Sequence, residues 1–178
     1  MNDIVLIAIK EEAPDLGYMM NVFYTGVGKV NAAITAGEII AKYQPKRIIN
    51  FGTAGGITVG SGLHECTQFV QRDMNCQGLG CDPGQTPFES QIIIGAKPGL
   101  ICSTGDDFVM NPNLTIAADV VDMEAYAIAK ACQRHRIEFV CFKYVSDQAN
   151  ATANQDWRDS VAQGQSHYVN KLKQLQLL

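Results

Sequence analysis

Short unbroken apolar runs alternate along the chain with stretches in which apolar residues return every three or four positions. Ile4 to Ile9 is such a run and predicts a strand buried on both faces; Val22 to Thr25 and Arg47 to Phe51 predict two more. Between them, Lys29 to Tyr43 carries Val30, Ala33, Ile34, Gly37, Ile40 and Ala41 at helical spacing, which predicts one helix with that face turned to the core. Ala118 to Val121 leads into a second helical stretch, Met123 to Arg136, with Tyr126, Ala129 and Cys132 in phase. Phe139 to Val145 then returns as a strand, and Asp156 to Leu178 keeps only Val161, Tyr168, Leu172 and Leu175, the signature of a surface helix.

Strand, helix, strand alternation predicts an α/β fold: one three-layer domain over residues 1–178, with a central mixed, mostly parallel sheet flanked by helices. The segment from Cys66 to Leu100 is less regular, and its Gly-Leu-Gly and Asp-Pro-Gly-Gln turns predict strands joined by tight loops. At 178 residues and 47% hydrophobic content the chain can bury one sizeable core.

Charge and composition remove several classes of function. A net charge of -4 with no basic stripe argues against nucleic acid as a partner. The run Ile4 to Ile9 is too short to span a bilayer, and Glu11 and Glu12 stand where a signal peptide would have small residues, so the expectation is a cytoplasmic protein that begins near Met1 and has no membrane partner. The six cysteines form no CxxC pair and are expected to be reduced and mostly buried. His64, His135 and His167 are too scattered for a metal site; no metal and no cofactor are expected.

In a sheet of this kind, functional groups gather at the carboxyl ends of strands. Lys10-Glu11-Glu12 follows the first strand; as a local feature it also suits a solvated acidic helix start. Thr25-Gly-Val-Gly28 and Gly52-Thr-Ala-Gly-Gly56 follow the next two, and their glycines suit either a plain turn or the close approach of a ligand to backbone amides. Glu124, in Val121-Asp-Met-Glu-Ala125, suits a helix cap as well as a ligand contact. Asp147 closes a strand apolar enough to be dry, where a carboxyl has a raised pKa and can serve as a general acid.

Taken in order, Ile9-Lys-Glu-Glu12, Thr25-Gly-Val-Gly-Lys-Val30, Ile49-Asn-Phe-Gly-Thr-Ala-Gly-Gly56, Gly80-Cys-Asp-Pro-Gly-Gln85, Thr104-Gly-Asp-Asp-Phe108, Val121-Asp-Met-Glu-Ala125 and Val145-Ser-Asp147 resemble the purine nucleoside phosphorylase and nucleosidase superfamily. The resemblance is strongest to the methylthioadenosine/S-adenosylhomocysteine nucleosidases. It implies hydrolysis of the N-glycosidic bond of a purine nucleoside, releasing adenine and a thioribose. By this resemblance Asp147, helped by Ser146, protonates N7 of the base; Glu12 activates the water; Glu124 holds the ribose hydroxyls, with Met123 against the sugar. Phe108 and Val109 sandwich and hydrogen-bond the base, and Thr53, Ala54 and Gly55 line the floor. It further implies a homodimer in which a neighbouring loop, around Pro83 to Phe88, closes the 5′ end of the pocket.

The chemistry is consistent with these roles. Cleavage builds positive charge on the ribose, so an acid is needed at the leaving group and a carboxylate near the water. Two carboxylates in different environments can hold opposite protonation states, with Glu12 expected nearer solvent and Asp147 more buried. A phosphorylase would instead need arginines for phosphate, and the corresponding positions here read Ala8-Ile-Lys-Glu-Glu12 and Asn50-Phe51. A reading from a different class is a non-catalytic homologue that binds a purine ligand. Departures from the family pattern are the lack of room for a hairpin between Glu12 and Tyr24, a shortened stretch from Gln91 to Asp122, Lys143 in place of an arginine and Asp122 in place of a glutamate.

Overall fold

The structure, a computed structural model, describes residues 3–90, 93–94 and 98–178. Met1 and part of the shortened stretch that begins at Gln91 lie outside the described residues.

The predicted strands form where the apolar runs stand. β1 (Asp3–Ile7) pairs in parallel with β2 (Val22–Tyr24) on one side and β3 (Arg47–Gly56) on the other. β3 continues five residues past the predicted Phe51, through the glycine-rich segment that sequence alone read as a turn. β4 (Gly62–Gln71), the two-residue β5 (Ile93–Ile94), β6 (Leu100–Thr104), β7 (Val120–Asp122) and β8 (Glu138–Asp147) complete a mixed, mostly parallel sheet of eight strands. β8 pairs in parallel with β3 and antiparallel with β4, while β7 bridges β6 to the far end of β3. β3, β8, β4, β6 and β7 therefore close a ring.

Helices cover both faces of this sheet. Period-two alternation divides β1: Ile4 and Leu6 pack with Ile48 against α1 (Lys29–Tyr43) and α2 (Ala125–His135). Val5 and Ile7 pack with Ile49, Phe51, Phe142 and Tyr144 against Tyr168 and Leu172 on the other face. Each such fully buried aliphatic side chain contributes roughly 1.5–3 kcal/mol relative to exposure. The polar C-terminal stretch is two helices, α3 (Ala153–Ser160) and α4 (Gly164–Gln174), where one was expected. Tyr168 and Leu172 anchor α4 in the core, with Phe51 and Tyr168 rings stacked at 4.7 Å.

α1 has the predicted bounds but is rotated, so that of the predicted inward positions Ile40 is buried while Val30 and Ile34 are 68% and 56% exposed. Ala32, Ala36 and Ile39 are buried with Ile40 instead, and the small alanines allow α1 to lie close on its neighbours. Between β1 and β2 the chain makes two 3-10 turns, Lys10–Glu12 and Leu16–Tyr18, in place of a hairpin. Four of the six cysteines are buried, and none is paired. Among the described residues no helix is long and apolar enough to cross a membrane.

Candidate functional site

A cavity of about 300 Å³ opens where β1, β3, β7 and β8 end. Its wall contains Glu12, Thr53, Ala54, Gly55, Phe108, Val109, Met123, Glu124, Ser146 and Asp147, so every residue singled out in the sequence meets in one place.

Glu12 lies in the turn after β1 and is 4% exposed, so the expectation that it stands near solvent is incorrect. The burial arises because Thr53 takes hold of it: the Thr53 backbone N–H and hydroxyl donate to Oε1 at 2.6 and 2.7 Å. The indole N–H of Trp157 donates to the same hydroxyl at 3.0 Å, leaving the hydroxyl proton directed at Glu12. Gly52 leaves room behind this carboxyl for the ammonium of Lys143, since a Cβ there would stand 3.1 Å from its Nζ.

Asp147 ends β8, opposite Gly55, after a register shift in the β3–β8 ladder. Its Oδ2 accepts from the Ser146 hydroxyl at 2.9 Å and its Oδ1 from the Ala149 N–H at 2.9 Å. A Cβ at Gly55 would lie 2.9 Å from Oδ1, so the glycine makes room for the carboxyl. Burial raises the pKa of Asp147, only partly opposed by those two donors. The result is a carboxyl that holds its proton to higher pH than an ordinary aspartic acid.

Glu124 stands at the start of α2 but does not cap it. Asp122 does, accepting from the Glu124 and Ala125 N–H groups at 3.2 and 2.8 Å. Released from that duty, Glu124 accepts from the N–H of Gly28 at 3.0 Å. Gly28 has φ +95°, a backbone conformation that glycine adopts without strain, so the second glycine of Thr25-Gly-Val-Gly28 has a definite job. Burial first, and then the charge of Asp122, push the pKa of Glu124 up to about 8.

Behind these groups Lys143 and Asp122 form an ion pair of 2.8 Å, with side chains 1% and 0% exposed. Burial alone would raise the pKa of Asp122 and lower that of Lys143; their mutual attraction prevails, lowering Asp122 and raising Lys143. The two departures from the family pattern are thus partners.

Several wall residues were not singled out from sequence. α3 contributes Asn154, Trp157 and Arg158, and β4 leads to Arg72. Trp157 is the sole tryptophan, set in a polar stretch, and that contrast was an available signal. Arg72 had none. Its guanidinium donates to the carbonyls of Ser103, Asp122, Gly105 and Asp107, a convergence of backbone groups that only the fold creates. Phe108 is 44% exposed and meets Trp157 edge-on at 6.5 Å, forming an aromatic corner at the mouth. Among the described residues no group of three or more His, Cys, Asp and Glu is placed to hold a metal ion.

Comparison with known proteins bears on the family and the fold. A profile described as the phosphorylase superfamily matches residues 14–91 and 91–177. A 5′-methylthioadenosine/S-adenosylhomocysteine nucleosidase of Bacillus cereus is 28% identical over 86% of this chain and 79% of its own. Among solved structures, the Streptococcus pneumoniae MTA/SAH nucleosidase in complex with 8-aminoadenine superposes with a TM-score of 0.85 at 18% identity, covering 96% of each chain. A futalosine hydrolase mutant of Helicobacter pylori gives 0.83 at 19% identity, over 92% of this chain and 93% of that one. At these identities the two structures speak for the fold.

Proposed function

This chain belongs to the phosphorylase superfamily, and on that footing we propose that it is a cytoplasmic nucleosidase that hydrolyses the N-glycosidic bond of a purine nucleoside such as 5′-methylthioadenosine or S-adenosylhomocysteine. The observation that carries the reading is the pairing, in one cavity, of a carboxyl with a raised pKa, Asp147, and a carboxylate gripped by fixed donors, Glu12.

In this reading Asp147 delivers its proton to N7 as the C1′–N9 bond lengthens, so the base departs neutral. Ser146 orients the carboxyl through its bond to Oδ2. Glu12, unable to swing because Thr53 holds Oε1, takes a proton from a water attacking C1′. Glu124 holds the ribose hydroxyls against Met123, while Phe108 and Val109 flank the base above the floor of Thr53, Ala54 and Gly55.

Water is favoured over phosphate by the disposition of charge. The Glu12 carboxylate would repel a dianion beside the attacked carbon, and the Arg72 guanidinium is occupied by backbone carbonyls. The test is adenine release from methylthioadenosine in phosphate-free buffer. Release at the same rate with and without phosphate is expected; strict dependence on phosphate would make the chain a phosphorylase, and no release would make it a non-catalytic binder.

The reading includes a homodimer. Its support is the apolar stripe of α1, where Val30 and Ile34 face solvent, continuing to Val27 at the cavity rim. By the family resemblance the Pro83–Phe88 loop of a second copy, whose Phe88 is wholly exposed, would close the 5′ end of the cavity.

A further inference from the structure

Five carboxyl groups stand in the cavity wall, Glu12, Asp107, Asp122, Glu124 and Asp147, against two guanidinium groups, Arg72 and Arg158. Arg72 is committed to four carbonyls and to Asp107, whose Oδ1 lies 3.2 Å from its Nε. Arg158 is different. It is exposed at the mouth, and among the described residues it has neither a hydrogen bond nor an ion-pair partner. The acidic residues beside it on α3 are bonded elsewhere: Asp156 accepts from the Thr152 hydroxyl at 2.9 Å, and Asp159 from the Gln155 amide at 3.0 Å. A cation left unpaired among so many carboxylates is an unfilled place for an anion.

The position of α3 says which part of a substrate reaches it. Asn154, Trp157 and Arg158 are spaced three and four apart, on one helix face, and all three enter the cavity wall. The helix starts just after the turn that holds Asp147 and passes the Thr53 hydroxyl, and through it Glu12, at Trp157. Arg158 follows Trp157 farther along the helix and is exposed at the mouth. With the base at Asp147 and the attacked carbon at Glu12, what remains to meet Arg158 is the ribose substituent at the open end.

We infer that Arg158 is a specificity-determining residue that binds a carboxylate at the end of the substrate's 5′ substituent, and that the chain therefore favours nucleosides whose 5′ chain ends in a carboxylate over those with a bare alkylthio group. The planar guanidinium matches a carboxylate with two parallel hydrogen bonds, which a neutral thioether cannot accept in that way. This inference rests on the nucleosidase reading for its orientation of the substrate.

The test compares S-adenosylhomocysteine, which carries a carboxylate, with methylthioadenosine, which does not. Calorimetric affinities are measured in the Asp147→Asn chain, where substrate persists, with and without Arg158→Gln. Loss of Arg158 is expected to lower the ratio of the two affinities about twofold to fivefold, as for an exposed charge pair, and Arg158→Lys to restore part of it. Rising salt is expected to shrink the ratio in the Arg158 chain alone. In the otherwise native chain the same fall should appear in kcat/KM through KM. An unchanged ratio overturns the inference, as does inorganic phosphate that accelerates base release only when Arg158 is present, since the anion would then be the nucleophile. If base is never released while the affinity ratio responds, the nucleosidase reading falls and the carboxylate site stands; if neither nucleoside binds, both fall.

Discussion

Nζ of Lys143 lies 2.8 Å from Oδ2 of Asp122, and neither side chain is open to solvent. Asp122 is further held by the Thr104 hydroxyl and by the two N–H groups it caps on α2. Where the family resemblance implies an arginine and a glutamate, both members here are shorter, so a compact ion pair fills the space. Removing one partner strands the other charge in a dry interior. Lys143→Met is therefore expected to cost about 3–5 kcal/mol of folding stability, read from urea unfolding. A loss below about 1 kcal/mol would show that the pair carries little of the fold.

Asp147→Asn keeps the size and the Ala149 contact but has no acidic proton to give. Base release is expected to fall by about 10²–10⁴ while nucleoside affinity changes little. A near-native turnover number would remove Asp147 from the role of acid.

Glu12→Gln removes the carboxylate that, in the proposed reaction, takes the proton from water. Loss of hydrolysis on the same scale, about 10²–10⁴, is expected in single-turnover measurements. An unaffected chemical step would mean that the water is activated elsewhere.

The proton on Asp147 also sets a pH dependence. In the proposed reaction activity needs the protonated form and so should decline as pH rises through a pKa held above the ordinary aspartic range. The Ser146 hydroxyl favours the ionised form and lowers that pKa. In Ser146→Ala the alkaline limb of the kcat/KM profile should move to higher pH. Movement to lower pH would contradict the arrangement.

Glu124 gives a separate reading through stability. Its pKa rises from an ordinary 4.5 to about 8 on folding, so the folded state holds the proton more tightly than the unfolded one. The stabilisation is complete below about pH 4.5 and is lost as pH rises through about 8. Glu124→Gln should consequently gain on the native chain between those limits, in unfolding curves taken at several pH values. A difference independent of pH would place the titration elsewhere.

Sequence made the carboxylates legible for a physical reason. Each follows an apolar run or opens an apolar helix, and polar groups at such junctions are few. The inward face of α1 was hidden because hydrophobicity marks surfaces that leave water, whatever covers them, and Val30 and Ile34 outrank the alanines that actually face the sheet. The burial of Glu12 was hidden because its donors come from Thr53 and, behind that, Trp157, far away in the chain. Arg72 binds carbonyls, which leave no mark on residue type.

The register shift at Ala54 and Gly55 makes the chain more tolerant of substitution than of miscounting. Val145 faces Ala54 and Asp147 faces Gly55, so Ser146 is the extra residue that aims the carboxyl. Deleting Ser146 would remove that extra residue and leave a straight ladder in which Asp147 still faces Gly55, without the hydroxyl that donates to Oδ2. Such a chain would keep nearly all its apolar content and its complete set of acidic groups, yet lose the irregularity and the donor that set the Asp147 carboxyl in the cavity wall.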